Sequence, residues 1–391
     1  MNVPRWAFLT PLAILPPLAF LIYLVLGANA QPDLNNYGHA PAIGGDFLQY
    51  WSAGWLVLQG QVAGVYQAEV IQAVMTNISA APRRMLPLVY PPHALFLFTP
   101  FALLPYYAGF LAFTAAGLMA LLGAVGMVLR HRVYGLAAAG CGLVWLCCLY
   151  GQTGLFIAAL NGLGFVLLQR WPVAAGGVVA LLTIKPHVGL LWPLVLLLER
   201  RWKVLASTIA SLAIMVALCM ALFGQSIWGQ FFDALGVISG SVETHLLAWQ
   251  HQCSLYALLR VMDVGHLPAL ASQLALAGVV VMLFVVSWRR TNGNPVWQLA
   301  LFGSATLLLS PYAHNYDMVL LIWPVLALLT LPATGRWMWL ERVALLLAFV
   351  FPLFVFFLRV PVGLFLNLLI FLLILRRLHA ESSLLAPAPL R

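Results

Sequence analysis

The chain has 391 residues, of which 63% are hydrophobic and only 7% charged, with a formal net charge of +9. A soluble domain carries about a quarter charged residues, so this composition cannot dress a water-facing surface and excludes an ordinary soluble enzyme. Nucleic acid is excluded as the reason for the positive charge, because no basic run is interleaved with aromatics in a soluble segment.

Lipid is therefore the expected solvent. Tracts such as Ala108 to Leu129, Trp202 to Phe223, Leu267 to Trp288 and Leu340 to Phe357 approach the roughly 20 apolar residues that cross about 30 Å of hydrocarbon as a helix. They are apolar all round, whereas barrel strands alternate apolar with polar residues. In chain order, spans are expected near residues 7–27, 95–129, 135–150, 153–168, 172–184, 187–198, 204–223, 267–288, 295–310, 317–331, 340–357 and 361–375. The fold class is thus an all-α polytopic membrane protein with about twelve (roughly 10–13) transmembrane helices. Arg5, the apolar stretch after it and Ala28-Asn29-Ala30 also resemble a cleaved secretory signal, but Ala7 to Leu26 is long for one. Retention gives an even helix count with both termini on the same side. The 95–129 tract is too long for one span, and Pro100 and Pro105 predict a short membrane-dipping piece before the real crossing. The short pair flanking Lys185-Pro186 reads as a broken or re-entrant element.

With a cytoplasmic N-terminus, the alternate loops carry Arg130/Arg132, Arg170, Arg200/Arg201/Lys203, Arg289/Arg290, Arg336/Arg342 and Arg376/Arg377. Only Arg83, Arg84, Lys185, Arg260 and Arg359 then fall outside, which satisfies the positive-inside rule. Most acidic residues fall outside instead: Asp33, Asp46, Glu69, Asp233, Glu243, Asp263 and Asp317. Acidic residues contribute little to orientation, so this bias needs another explanation. The expected organisation is a single integral membrane domain over 1–391. Residues 28–94 form a long first extracytoplasmic loop, 224–266 a second, and 379–391 a cytoplasmic tail. In the first loop, Phe47 to Leu58 repeats its apolar residues and Trp51/Trp55 at helical spacing, which predicts an interfacial helix. Glu69 to Asn77 reads as a second short helix.

In so apolar a chain each polar cluster must be justified. Six stand out, all at the outer face under this topology: Gly44-Gly45-Asp46-Phe47, Tyr90-Pro91-Pro92-His93, Tyr150 to Gly154, Lys185-Pro186-His187, His245 to Gln252, and Ser310 to Asp317. A transporter would place polar groups near the midplane and in both half-channels. One-sided clusters point instead to a site that meets a lipid-borne substrate at one membrane face.

Asp46 precedes a helix, so it is an N-cap candidate, and a carboxylate at a loop–helix junction is also well placed as a general base. Lys185 is the one basic residue from Trp171 to Leu198, which predicts an anionic partner such as a phosphate or a carboxylate; snorkelling to headgroups is the ordinary alternative. His187 is expected near it. His314 and Asp317 lie three residues apart on one helical face, where histidine can donate to a phosphate oxygen and aspartate can hold its tautomer, or the pair can simply cap and face headgroups. Arg83 and Arg84 receive a second phosphate or bind anionic lipid. His245, His251 and Trp249 read as interfacial, with Trp249 able to stack on a sugar ring. The cysteines Cys141, Cys147, Cys148, Cys219 and Cys253 have no metal-ligand spacing. No cofactor is expected; the histidine-bearing clusters could recruit a divalent metal, but their spacing does not indicate one.

The order of these clusters carries a resemblance. Gly45-Asp46-Phe47 with Tyr50, Ala53-Gly54, Gly60 and Val65-Tyr66, then Tyr90-Pro91-Pro92, Gly151-Gln152, Ile184-Lys185-Pro186 and Ser310-Pro311-Tyr312 with His314, Tyr316 and Asp317 resemble the successive motifs of glycosyltransferase family 87, over roughly residues 44 to 330. The resemblance implies a GT-C type fold in the plasma (inner) membrane and an inverting hexosyltransferase. A sugar, typically mannose, would pass from a polyprenyl-phosphate donor to a lipid or glycan acceptor on the extracytoplasmic face. It makes Asp46 the base that takes the acceptor proton, places the lipid phosphate on Lys185 with His314 nearby, and lines the sugar pocket with Gln152, Tyr90 and Tyr50. His93, His187, Tyr312 and Asp317 complete the substrate-binding set. The chemistry fits the residues independently, since a polyprenyl phosphate is already a tolerable leaving group and one carboxylate with one or two cations suffices. Two competing readings are a transporter or flippase of a lipid-linked saccharide, which needs no general base, and an assembly protein in which the outer clusters only cap helices.

Overall fold

A computed structural model describes residues 9, 12–29, 43–79, 87–243, 249–330, 338–355, 358 and 360–384. Among them every regular element is helical, and the one β-type contact is an isolated antiparallel bridge between Gln252 and His314. The chain opens with α1 (Leu15–Asn29), α2 (Phe47–Leu58), α3 (Ala68–Ile78), α4 (Leu95–Ala102) and α5 (Tyr106–Leu129). It continues through α6 (Arg132–Gly140), α7 (Gly142–Tyr150), α8 (Gly154–Leu167), α9 (Pro172–Leu181), α10 (Trp192–Leu198), α11 (Trp202–Phe223) and α12 (Ile227–Glu243). The remainder is α13 (Leu255–Val261), α14 (His266–Trp288), α15 (Pro295–Leu309), α16 (Ile322–Thr330), α17 (Met338–Val355) and α18 (Val362–Leu384).

Among the described residues, four helical stretches are long and apolar enough to cross a bilayer, namely Tyr106–Leu129, Trp202–Phe223, His266–Thr291 and Val362–Ala380. A fifth is added if the pair α6 and α7, bent by 56°, counts as one span. Length and composition therefore support four or five spans, fewer than the twelve expected. The difference lies in apolar helices of 10–17 residues such as Gly154–Leu167, Pro172–Ile184 and Pro295–Leu309. Hydropathy reads these as crossings, but each is shorter than the hydrocarbon is thick.

Proline and glycine place the breaks. The 95–129 tract divides at Leu103 to Pro105 into α4 and α5, as Pro105 predicts, while Pro100 sits inside α4. At Lys185-Pro186 the proline withdraws an N–H and forces its predecessor out of helical geometry; Lys185 sits at φ −134°, ψ 76° between two short 3₁₀ turns. Its side chain is thereby turned into the protein, where it is 6% exposed. The helix predicted as interfacial, α2, buries Phe47, Leu48, Tyr50, Ala53 and Leu56 and packs on α4. It is a wall of the core more than a surface helix, with Trp51 and Trp55 half-buried at its rim.

Helix α8 runs through the middle, against α5, α9 and α15. Polar ties pin it there: Asn161 accepts from Trp192 Nε1 at 2.8 Å, and Trp323 Nε1 donates to the Ala158 carbonyl at 3.1 Å. Gly162 lets the Trp323 ring lie against the helix, since a Cβ there would meet ring atoms. Charged groups collect at the far end of the bundle. Glu341 takes Arg377 in a two-pronged buried pair, Nε at 2.7 Å and a terminal nitrogen at 2.5 Å, while Glu199 is held by Arg201 and Gln298.

Candidate active site

The opposite end of the helices gathers the polar clusters. Helix α7 ends on Gly151, whose left-handed conformation (φ 63°) lets its N–H reach the Cys148 carbonyl and lets the Gln152 N–H reach Cys147, closing the orphaned last turn. The Tyr150 carbonyl accepts the Asp46 backbone N–H at 3.0 Å. Gly44 and Gly45 both have positive φ (79° and 31°) and turn the chain so that the Gly44 carbonyl takes the Phe47 N–H at 2.7 Å. The Gly-Gly-Asp turn is thus docked on the end of α7. A Cβ at Gly151 would meet the Gly44 carbonyl at 2.6 Å and Phe47 Cβ at 2.6 Å. Gly151→Ala is therefore expected to cost at least the roughly 1–2 kcal/mol of a left-handed L-residue and to displace Asp46. Thermal unfolding and transfer assays on the same preparation should both show the loss.

Asp46 occupies the N-cap position of α2, but its side chain makes no capping bond. Instead Asp46 Oδ2 accepts Gln152 Nε2 at 2.7 Å. The other end of the Gln152 amide, Oε1, accepts the Tyr90 hydroxyl at 3.1 Å and faces Lys185 Nζ at 3.5 Å. This orientation is the one that puts amide hydrogens on a carboxylate and amide oxygen toward an ammonium. Tyr90 also shares a 2.9 Å hydrogen bond with Thr153 Oγ1 and receives one from Tyr50 at 3.2 Å. Tyr50 stacks on Phe98 (4.5 Å, 7°), and burial keeps its phenol protonated well above its ordinary range.

Lys185 donates to Asp317 Oδ1 at 2.5 Å and lies 4.6 Å from the Tyr316 ring centroid. The anionic partner that the sequence demands is thus a carboxylate of this chain. Asp317 is 1% exposed and spent on both oxygens: Oδ2 accepts the His314 backbone N–H at 3.0 Å and stands 3.6 Å from His187 Nε2. Of the two sequence readings of this pair, the structure shows the cap and not the tautomer-holding contact: Asp317 accepts the His314 backbone N–H, and the His314 ring stacks on Tyr316 (4.8 Å, 10°). Burial lowers the His314 pKa to about 4 despite the nearby Asp317 charge, and burial does the same to His93. Both rings are therefore neutral at neutral pH. Of the two carboxylates, Asp46 is the half-buried one and Asp317 the sealed, neutralised one.

The neutral histidines give a pH prediction. A folded pKa of about 4 below the ordinary 6.5 means that the unfolded chain binds more protons between those values, so stability rises with pH there. Unfolding temperature is expected to fall as pH drops from about 6.5 toward 4, and to fall less in a His93→Gln, His314→Gln variant.

Asp46, Tyr50, Tyr90, Gln152, Lys185, His187, His314 and Asp317 are thus brought together. His93 lies beside this network, bonded to Thr183 Oγ1 at 3.1 Å and stacked with Trp228. Tyr312 faces outward, 40% exposed, against Tyr256; no hydrogen bond or ring contact ties it to Asp46, Gln152 or Lys185 among the described residues. Trp249, expected at the interface, is 5% exposed and packs on Tyr256, while Arg83, Arg84 and His245 fall outside the described residues. Sequence reasoning assigns no role to Tyr316, Thr153 or Thr183. The first two were signalled by lying inside polar clusters, and the third by being a hydroxyl two residues before Lys185.

Geometry thus defines a class: an all-helical membrane protein whose polar groups converge at one end on a carboxylate, an amide and a buried ion pair. The chain belongs to glycosyltransferase family 87, whose sequence profile residues 88–311 match over more than half its length. Neither a curated protein nor a solved structure matches it significantly. Tyr90, His93, Gln152, Lys185 and His187 lie within the matched stretch, Asp46 and Tyr50 before it, and Tyr312, His314 and Asp317 after it. The protein is a glycosyltransferase by family, and a sugar donor and an acceptor are its substrates.

Proposed function

We propose that the protein moves a hexose, mannose in the first instance, from a polyprenyl phosphate to an acceptor hydroxyl on a lipid or glycan, with inversion and with Asp46 as general base. The observation that carries this reading is the Asp46 carboxylate: held by Gln152 instead of capping its helix, half-buried, and linked through one amide to the Lys185–Asp317 pair. A base must face its substrate while its neighbours hold it still. Lys185 and the neutral His314 stand on the far side of Gln152, where they stabilise charge developing on the leaving phosphate. Tyr50, Tyr90 and Gln152 border the sugar; His93, His187 and Asp317 support the phosphate side, and Tyr312 lies where an acceptor enters. The chemistry needs no metal or other cofactor.

The whole chain acts as one membrane domain with about twelve crossings, the shorter apolar helices included, in the plasma (inner) membrane. Both termini and the Arg-rich helix ends face the cytoplasm, which sets the polar network on the extracytoplasmic side. The alternative, a flippase of a lipid-linked saccharide, would need the lipid-phosphate contacts but not the base.

The test is to supply the purified protein with radiolabelled polyprenyl-phosphate mannose or with a labelled nucleotide sugar, plus membrane acceptors. Label passing to a new product from the lipid donor alone supports the reading. Transfer from the nucleotide sugar would refute it, and movement of intact donor across vesicles without a new product would favour the flippase.

A further inference from the structure

Beside the network lies a cavity of about 590 Å³ whose walls are almost wholly apolar. It runs between α4, α5, α8, α9 and α11. Helix α8 contributes Thr153 at its start, then Phe156, Leu160 and Leu163, a depth of roughly 15 Å at the helical rise. Helix α5 faces it with Met119, Ala120, Gly123, Ala124 and Met127, a stripe of one helix face.

Its two sides differ. The polar end is deeply buried, with His93 5% and Thr153 0% exposed. Thr153 is the junction: it lines the cavity and bonds the Tyr90 hydroxyl that bonds Gln152. The outer wall is open, with Met119 68% and Met127 45% exposed, in a helix of span length. A compartment with one end abutting the polar network and a long apolar body open sideways fits an amphiphile that arrives from the bilayer. Methionine at three wall positions, Met119, Met127 and Met215, suits an irregular, unsaturated chain, because the thioether is flexible and polarisable. Gly123 leaves the wall unfilled: a Cβ built there meets nothing within 4 Å.

We propose that this groove seats the hydrocarbon tail of the lipid-phosphate donor, which enters past Met119 and Met127, and that Gly123 decides whether a branched isoprenoid tail fits. The inference rests on the lipid-donor reading given above. It adds the tail's location and the residue that selects it. A straight acyl chain of a lipid acceptor is the competing occupant.

The experiment uses the full-length protein in detergent with a polyprenyl phosphate carrying a diazirine in its tail, and no sugar. Photolabel is expected on α5 and α8 residues of the groove. Gly123→Phe should abolish that label and raise the donor KM about tenfold, the affinity of roughly two buried methylene groups. Ala120→Leu, on the same stripe, should act in the same direction if the larger residue at 123 impairs folding. Gly126→Phe, at an equally open position outside the groove, should keep the label. Label unchanged in Gly123→Phe, or a rise in acceptor KM in place of donor KM, would overturn the proposal. Groove labelling in a protein that transfers no sugar would retain the seat and overturn the catalytic reading. Transfer from the lipid donor with label elsewhere would do the reverse.

Discussion

Lys185→Met is expected to destabilise the protein by about 3–5 kcal/mol, because it strands the Asp317 carboxylate without its counter-charge. Lys185 and Asp317 are 6% and 1% exposed and 2.5 Å apart, so neither charge has water to fall back on. The expected recovery is specific. Adding Asp317→Asn removes the stranded charge and keeps an oxygen for the His314 N–H, so the double variant should regain most of the lost stability. Thermal unfolding of the wild type, both single variants and the double variant reads this as a coupling between the two sites. Additive losses would mean that the pair contributes nothing as a pair. Transfer should stay low in every variant lacking Lys185, stable or not, since the charge beside the leaving phosphate is gone.

Asp46→Asn is expected to slow transfer by about 10²–10⁴-fold, the usual contribution of a positioned base. The substitution suits the site. An amide oxygen at the same place still accepts Gln152 Nε2, so the Tyr90–Gln152–Lys185 arrangement has no reason to collapse. Only proton acceptance is lost, so kcat should fall with little change in donor affinity. A drop in donor affinity of the same size would recast Asp46 as a binding residue. Asp317 is a poor substitute base, because Lys185 and the His314 N–H already occupy its two oxygens.

Much of this site is legible in the sequence, for one physical reason. In a chain with 7% charged residues, a buried polar group must have a partner or a task. Lys185, Gln152 and Asp317 announced themselves that way, and Pro186 announced the break that turns Lys185 inward. The α2 and α3 boundaries followed from apolar spacing to within a residue or two. The pairing itself was hidden. Lys185 and Asp317 are 132 residues apart, and local periodicity says nothing about which helix ends meet. The same limit left Asp317 and His314 open between a side-chain pair and a cap, and the 3₁₀ turn decides for the cap by delivering the backbone N–H. It also explains Tyr312, which shares a segment with His314 but leaves it on the outer face. The span count was legible only in part: composition marks a helix as apolar, but helices such as Gly154–Leu167 are as apolar as a span and shorter, so four or five crossings follow from length and the rest are proposed.

The most direct measurement of the central claim is single-turnover transfer of label from polyprenyl-phosphate mannose, wild type against Asp46→Asn, with bound donor quantified in the same samples. Equal donor binding with product formation at least about 100-fold slower in the variant is the predicted result. Equal rates of product formation from equal bound donor would contradict the assignment of Asp46 as the base.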